Sequence, residues 1–360
     1  MTLIEIMNAE SLESFKKEIN QIREYLKHIE YVNNVAGYTI LETDNKQIQT
    51  LLNTLKNHYK AFGTEKKLFE YKASIISLYG LLEKYVEIWI KEYLNSLSSL
   101  IVEYSNMDEK IRDNHFELSL KLINTIISRE SVKYQHLTKE EVLKKLNQCI
   151  VSPTSYQINT EAFVILSGNL KHNKIVDLFK YLNVDLNSGL AKNESLSNEI
   201  GLKTNEISRV EKDILYNKIN DLVERRNQIA HGSEKLDDIL STSGLEPYIQ
   251  FLEKYCQAIF ETLVEEVIKQ ESIHTFQKIK KVINVFGNKV LAFEIDNYNI
   301  KVGDMLIIET REGKFYKKSI LTIQLNNEPY EEITVLEKTN IAVSVEHKIK
   351  DNQTFYIEKR

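Results

Sequence analysis

The 360-residue chain is poor in proline and cysteine and has no surplus of basic residues. Because proline is the strongest helix breaker, three prolines in this length allow long uninterrupted helices. The two cysteines, Cys149 and Cys256, lack CxxC or Cys/His ligand spacing, which argues against a disulfide framework or a zinc site. The formal net charge of −5 gives no general attraction to nucleic acid, so any RNA contact must come from a local patch.

The sequence also lacks the hydrophobic segments of secreted and membrane proteins. Its first residues have neither the basic nor the apolar region of a signal peptide. No stretch reaches the roughly 18 uninterrupted apolar residues of a membrane span. The most apolar run, residues 74–94, is interrupted by Glu83, Lys84 and Glu87. We therefore expect a cytoplasmic protein without membrane contact, in which residues 74–94 form a core helix.

The N-terminal part of the chain has the pattern of an amphipathic helix. Apolar residues recur at three- and four-residue steps through about residues 8–32. A short β-like stretch (38–43) and a second helix near 46–60 are expected to follow. We predict a helical hairpin over residues 1–62 that serves packing or dimerisation.

Residues 63–276 are predicted to form a helical domain, because amphipathic patterns follow one another with polar connections between them. The predicted helices span 68–98, 115–128, 138–149, 159–167, 171–182, 207–231 and 246–272. Thr138 is expected to cap one of them, with Glu140 and Glu141 in its first turn. The longest connection, residues 183–201, is predicted to be a polar loop.

Beyond about residue 280 the hydrophobic period changes from helical to alternating. Short segments rich in Ile, Val, Phe and Tyr are separated by turn signals that contain Gly and Asn. This pattern predicts a small antiparallel β-barrel or sandwich over residues 280–360. The predicted fold class is therefore mainly α with a C-terminal all-β module.

The sharpest functional signal is the run RNQIAHG at residues 226–232. The apolar stripe of the predicted helix continues past Leu222 to Arg226, so a guanidinium takes the place of an aliphatic side chain. Asn227 and His231 lie about 40° apart on one helix face. Gly232 is expected to end the helix as its C′ residue.

These residue types suit RNA cleavage without a metal. A histidine with a pKa of about 6.5 can take the proton of the ribose 2′-hydroxyl and supply one to the leaving 5′-oxygen. An arginine can hold phosphate oxygens with two parallel hydrogen bonds. Asn227 would orient the imidazole or contact the phosphate. The spacing alone is equally consistent with a C-cap histidine and an arginine buried in an ion pair, for example with Glu83.

The run resembles the RX4–6H signature of HEPN domains (higher eukaryotes and prokaryotes nucleotide-binding), with asparagine directly after the arginine. Residues 81–94 (LLEKYVEIWIKEYL) and 166–185 (LSGNLKHNKIVDLFKYLNVD) are similar to segments of bacterial HEPN proteins. The resemblance, which covers about residues 64–270, implies a HEPN helical bundle that dimerises. Two motifs would then face each other across a two-fold axis and form a composite endoribonuclease site. It implies catalytic roles for Arg226 and His231, a polar supporting role for Asn227, and Glu83 as an acidic partner of the arginine.

This resemblance predicts a metal-independent, cofactor-free endoribonuclease of a toxin–antitoxin or antiphage defence system. It would cleave RNA such as tRNA to give 2′,3′-cyclic phosphate ends. The alternative is a non-catalytic HEPN scaffold that dimerises and binds a partner through its β module. A third interpretation is a HEPN domain silenced by nucleotide transfer from a partner. The short tyrosine motif expected for that is absent after the signature, and Ser233 is the nearest hydroxyl.

Other residues give weaker predictions. Lys171, beside the SGN run at 167–169, and Lys314, Lys317 and Lys318 are candidate contacts to an RNA backbone. Lysines on ordinary strand edges fit the last three equally well. Asn169 is expected to cap the helix that follows it.

Two further expectations concern the remaining histidines and the C-terminal region. The seven histidines other than His231 are each predicted to lie at the surface. Residues 300–333 resemble the domain 2 β-barrel of translation elongation factors such as elongation factor Tu. This resemblance implies a translation-related partner, while an antitoxin is an alternative occupant of the module.

Overall fold

The computed structural model describes residues 7, 9–37, 45–128, 132–152, 154–165, 169–207, 209–232 and 238–360. Helices precede strands, as the change in hydrophobic period predicts. The helices are α1 (Ala9–Gly37), α2 (Lys46–Leu100), α3 (Glu109–Ser128), α4 (Lys139–Val151), α5 (His172–Tyr181), α6 (Leu186–Lys192), α7 (Glu194–Ile200), α8 (Thr204–Ile207), α9 (Lys212–Leu215), α10 (Asn217–Ala230) and α11 (Thr242–His274). Short 3-10 helices lie at Tyr104–Asn106, Val132–Tyr134 and Thr160–Val164.

The helical core is built around α2. The two helices predicted near 46–60 and at 68–98 are one continuous helix of 55 residues, which Asn45 caps by accepting hydrogen bonds from the backbone of Gln47 and Ile48. Trp89, fully buried in α2, meets Phe15 of α1 and Phe260 of α11 edge-on, each with ring centroids 5.6 Å apart. Helices α1, α2 and α11 therefore share one hydrophobic core. The boundary at residue 62 stays a prediction.

Three predicted elements differ from the observed ones. The helix expected at 159–167 is the 3-10 helix Thr160–Val164, and the helix expected at 207–231 is divided among α8, α9 and α10. The predicted polar loop at 183–201 contains α6 and α7. Asp185 and Asn193 start these helices by accepting hydrogen bonds from backbone N–H groups. The β-like stretch at 38–43 lies outside the described residues.

The surface prediction is wrong for two histidines. His115 and His172 are fully buried. The His115 ring bonds to the Tyr104 hydroxyl at 2.9 Å and accepts the Asn159 N–H at 3.0 Å. Both rings are buried neutral, because burial lowers the pKa of each to about 4. The predicted cap at Thr138, by contrast, is confirmed, and Glu141 completes a capping box with it.

The C-terminal strands form an antiparallel sheet that curves into a half-barrel. The strands are β1 (Phe276–Lys278), β2 (Lys281–Phe286), β3 (Val290–Ile295), β4 (Tyr298–Lys301), β5 (Met305–Glu309), β6 (Phe315–Leu325), β7 (Glu328–Tyr330), β8 (Glu332–Val335), β9 (Thr339–Val345) and β10 (Thr354–Glu358). The main order is β1-β10-β5-β6-β9-β3-β2, β7 pairs with β6, and β4 pairs with β8. This arrangement confirms the mainly α fold class with a C-terminal β module. Among the described helices, none is both long and apolar enough to span a bilayer.

Candidate active site

Helix α10 carries the RNQIAHG run on its last turns. Its inner face is anchored by Ile219, Leu222 and Val223, which are buried. The helix ends at Ala230, and the C-cap residue His231 donates its backbone N–H to the Asn227 carbonyl at 2.9 Å. Gly232 follows with a φ of +67°, the left-handed conformation that favours glycine. The predicted C′ role of Gly232 is therefore confirmed.

Arg226 is half-buried among neutral partners. Its guanidinium lies over the ring of Tyr79 in α2, with 4.6 Å from its carbon to the ring centroid. Its Nη1 donates to Asn227 Oδ1 at 3.2 Å and, at a long 3.4 Å, to Asn169 Oδ1. Within the described part of the chain, no carboxylate pairs with this guanidinium. Among the described residues, its positive charge is therefore held in place by neutral groups alone.

The adjacent arginine has the opposite environment. Arg225 donates from Nε to Asp221 at 2.6 Å and from Nη2 to Asp238 at 2.8 Å. It also donates to the Tyr71 hydroxyl at 3.0 Å. Arg225 therefore links α2 and α10 to the residues just before α11. Its charge is compensated by two carboxylates of the same molecule.

The ion pair expected between Glu83 and Arg226 is not formed. Glu83 is half-buried in α2, one turn after Tyr79. Burial raises the pKa of Tyr79, and the charge of Glu83 adds to this effect while the charge of Arg226 opposes it. The Tyr79 ring, rather than the Glu83 carboxylate, therefore lies against the Arg226 guanidinium.

His231 is exposed at the end of α10. Its ring makes no hydrogen bond to Arg226 or to any other residue in the described ranges. The structure thus brings Arg226 and Asn227 together and leaves the imidazole facing solvent one turn further along the same helix. Such an imidazole is accessible to a substrate or to a second subunit.

Tyr79 is not among the site residues predicted from the sequence, and Asn169 does not have its predicted role as a helix cap. Asn169 does not cap α5: the N-cap residue is Lys171, which makes no side-chain cap. The Asn169 side chain instead accepts from Arg226. The SGN run did draw attention to this position, but contact with an arginine 57 residues away requires the folded chain.

Comparison with known proteins fixes the family. A sequence model described as RiboL-PSP-HEPN matches residues 41–265, more than half of the chain and including the whole of α10. The chain belongs to this HEPN family. No curated protein matches it.

Among solved structures, the HEPN chain is matched to the crystal structure of GDP-bound aIF5B from Aeropyrum pernix. The identity is 10%, the TM-score is 0.19, and the match covers 43% of this chain and 30% of that one. At this TM-score the match shows neither a shared fold nor a shared function.

The four lysines predicted to contact RNA are placed in two regions of the HEPN chain. Lys171 forms an ion pair with Glu224 of α10, near Arg226. Lys314 donates to the Lys192 carbonyl at 2.8 Å, and Lys317 is buried in an ion pair with Glu271 of α11 at 2.6 Å. Lys318 is half-buried. Lys314 and Lys317 thus connect the β module to the helices, whereas Lys171 lies beside the motif.

Proposed function

We propose that this HEPN protein is a metal-independent endoribonuclease of a toxin–antitoxin or antiphage system that acts as a homodimer. The observation that carries the proposal is the environment of Arg226. Among the described residues it has only neutral partners, whereas Arg225 beside it is fully ion-paired. A positioned guanidinium whose charge remains uncompensated is suited to bind a phosphate.

Three residues of the run would have distinct roles. Arg226 would hold the non-bridging oxygens of the scissile phosphate and stabilise the charge of the phosphorane. His231 would take the proton of the 2′-hydroxyl or supply one to the leaving 5′-oxygen. The 2′-oxygen bonds to phosphorus as the 5′-oxygen leaves, which yields a 2′,3′-cyclic phosphate and a 5′-hydroxyl. Asn227 keeps Arg226 in position through its side-chain oxygen.

The exposed surface next to the site supports a dimer. On α2, Phe69 is 67% exposed and Ile76 is 43% exposed, and Gly80, also exposed, follows Tyr79 directly. These positions are separated by seven and four residues, so they lie along one helix face. A second copy that covers this face would approach Arg226 and allow two histidines to serve one composite site.

The proposal is tested with Arg226→Ala and His231→Ala. Brief expression of the parent protein should generate new RNA ends that carry 5′-hydroxyls, and mapping those ends also identifies the RNA. Each variant should lower cleavage by at least about 100-fold, the scale of a lost proton-transfer or charge-stabilising group. Matched controls are Arg209→Ala and His136→Ala, which alter exposed residues of the same types away from the motif. Cleavage at the parental rate by either motif variant would refute the proposal.

The dimer is tested separately. Ile76→Asp should shift the mass measured by light scattering from dimer toward monomer and lower cleavage at the same time. A protein that is monomeric before substitution would contradict the composite site.

A second candidate function, a non-catalytic HEPN scaffold, is favoured by the net charge of −5, which is unusual for an RNA-binding protein. A scaffold predicts that cells expressing the parent protein and cells expressing His231→Ala grow equally well.

A further inference from the structure

A basic cleft lies beside α5, the helix that follows Asn169. Its cavity volume is about 200 Å³, and α3, the 3-10 helix Thr160–Val164 and α5 form its walls. Leu118, Phe163 and Ile165 contribute apolar surface, and Tyr181 is half-buried at one end. Lys121, Lys174 and Lys180 supply positive charge at its rim.

Two of these lysines are uncompensated. Lys180 pairs with Asp177 at 2.9 Å, and both line the cleft. Lys121 and Lys174 are exposed, and neither pairs with a carboxylate in the part of the chain that the structure describes. The cleft therefore carries a net positive charge on a protein whose overall charge is negative. A local basic patch of this kind is what an RNA-binding site on an acidic protein requires.

Helix α5 connects the cleft to Arg226. Near the start of α5, the side chain of Asn169 contacts Arg226, and Lys171 pairs with Glu224 on α10. Lys171, Lys174, Leu178 and Tyr181 follow at three- and four-residue steps and therefore lie along one face of the helix. Lys180 is nine positions after Lys171, which is about 14 Å along a helix. The cleft lysines of α5, Lys174 and Lys180, therefore follow Asn169, the contact of Arg226, within a few turns of the same stretch of chain.

We infer that this cleft binds the single-stranded RNA segment that flanks the cleavage site, with Lys121 and Lys174 on its phosphates and Tyr181 against a base. The inference rests on the proposed nuclease function and names the strand on which it acts. A cavity of this size, with an apolar floor between ammonium groups, accepts one unpaired base, whereas a duplex presents its bases stacked and paired. An unpaired region, such as a loop, is therefore the expected substrate.

The test measures binding without cleavage. In the full-length His231→Ala background, the affinity for a fluorescein-labelled single-stranded oligoribonucleotide is followed by anisotropy at increasing KCl concentrations. Lys121→Ala with Lys174→Ala should weaken binding and reduce the slope of log K against log [salt] by about 1.4, since each single-strand phosphate contact contributes about 0.7. Tyr181→Ala should weaken binding about tenfold at every salt concentration, and Tyr181→Phe should restore it.

The matched control is Lys144→Ala with Lys145→Ala, which removes the same charge from α4 on a different surface. An equal loss of slope in this control would show that only net charge matters and would overturn the site. Unchanged binding in the Lys121/Lys174 variant would also overturn it, as would equal dependence on these lysines for a fully paired RNA. These outcomes are independent of catalysis, so failure of the nuclease proposal in the Arg226 and His231 variants is distinguishable from failure of the cleft.

Discussion

The two adjacent arginines show how one residue type serves stability at one position and chemistry at the next. Arg225 is 12% exposed and is paired with Asp221 and Asp238, while Arg226 rests on Tyr79 and two asparagines. Helix periodicity predicted that Arg226 would occupy the apolar stripe. The sequence did not indicate which arginine is neutralised, because Asp238 and Tyr71 approach Arg225 only in the folded chain.

This contrast gives a prediction at the residue scale. Arg225→Ala should lower the free energy of unfolding by about 1–3 kcal/mol, because it leaves the Tyr71 hydroxyl and two carboxylates without their donor. Arg226→Ala should change stability by less than about 1 kcal/mol while abolishing cleavage. Urea denaturation and RNA cleavage are measured on both variants. The reverse order of stabilities would contradict the assignment of roles.

The buried histidines predict a dependence of stability on pH. His172 bonds to Tyr255 at 2.9 Å and to Asn187 at 3.0 Å, and burial lowers its pKa to about 4. A lowered histidine pKa means that the unfolded chain binds the proton first. This contribution is therefore complete above about pH 6.5 and is lost as pH falls toward 4, by about 3 kcal/mol.

His172→Phe should accordingly be less stable at pH 7.5. Its free energy of unfolding should fall less on acidification, because its unfolding takes up about one proton fewer. The comparison is made by denaturation at pH 7.5, 5.5 and 4.5 against Tyr255→Phe, which removes the same hydrogen bond and keeps the imidazole. The two variants are compared with each other because other buried groups also titrate. Burial raises the pKa of Glu265 and Glu271, so these carboxyls make the folded state more stable as pH falls, which is opposite to the effect of His172. Equal acid sensitivity in both variants would show that His172 does not titrate on unfolding.

At the scale of elements, amphipathic periodicity predicted the long helices and failed for the short ones. Helices α4 and α5 lie close to their predicted bounds because their apolar faces repeat over several turns, whereas α3 and α11 begin one to two turns earlier than predicted. Helices α6 and α7 have seven residues each, too few for a period to stand out, and their polar residues resemble a loop. They are stabilised by caps and by packing against α11, which is distant in sequence.

The packing of α6 against α11 depends on a glycine. A Cβ at Gly189 would clash with the side chain of Thr262. Gly189→Ala should therefore lower the free energy of unfolding by about 1–3 kcal/mol through overpacking. Thr262→Ala in the same chain should recover part of this loss, as a double-mutant cycle would show.

Gly63→Ala is the matched control. Gly63 lies inside α2, where the nearest atom to an added Cβ is Tyr59 Cδ1 at an ordinary 3.9 Å. Removing a helix-interior glycine there should stabilise the protein by about 0.5–1 kcal/mol. A similar stabilisation by Gly189→Ala would mean that α6 does not pack closely on α11.

At the scale of the whole molecule, the change of hydrophobic period marked the boundary between helices and strands. The sequence did not indicate how the two parts meet. Strand β6 lies against α11, where Glu265 accepts the Phe315 N–H and Phe276, Ile268 and Ile307 form a separate small core. Lys314 and Lys317, which in the sequence resembled lysines of a solvent-facing strand edge, therefore contact the helices instead.

The buried ion pair between Lys317 and Glu271 predicts how the two parts depend on each other. Their side chains are 10% and 5% exposed, and the Nζ of Lys317 also lies 5.4 Å from the ring centroid of Phe276. Burial raises the pKa of Glu271, and Lys317 opposes this effect. Lys317→Ala leaves a buried carboxylate without its partner and should cost about 3–5 kcal/mol. Since the contact joins β6 to α11, thermal unfolding should separate into two transitions.

Replacing both partners, Lys317→Met with Glu271→Met, should restore much of the loss, because an apolar pair needs no charge compensation. The exposed pair Lys281–Glu294, at 2.7 Å within the half-barrel, provides the control. Lys281→Ala should change stability by less than about 1 kcal/mol, since solvent screens that interaction. A single cooperative transition at the parental temperature in Lys317→Ala would mean that the half-barrel is held to α11 by apolar contacts alone.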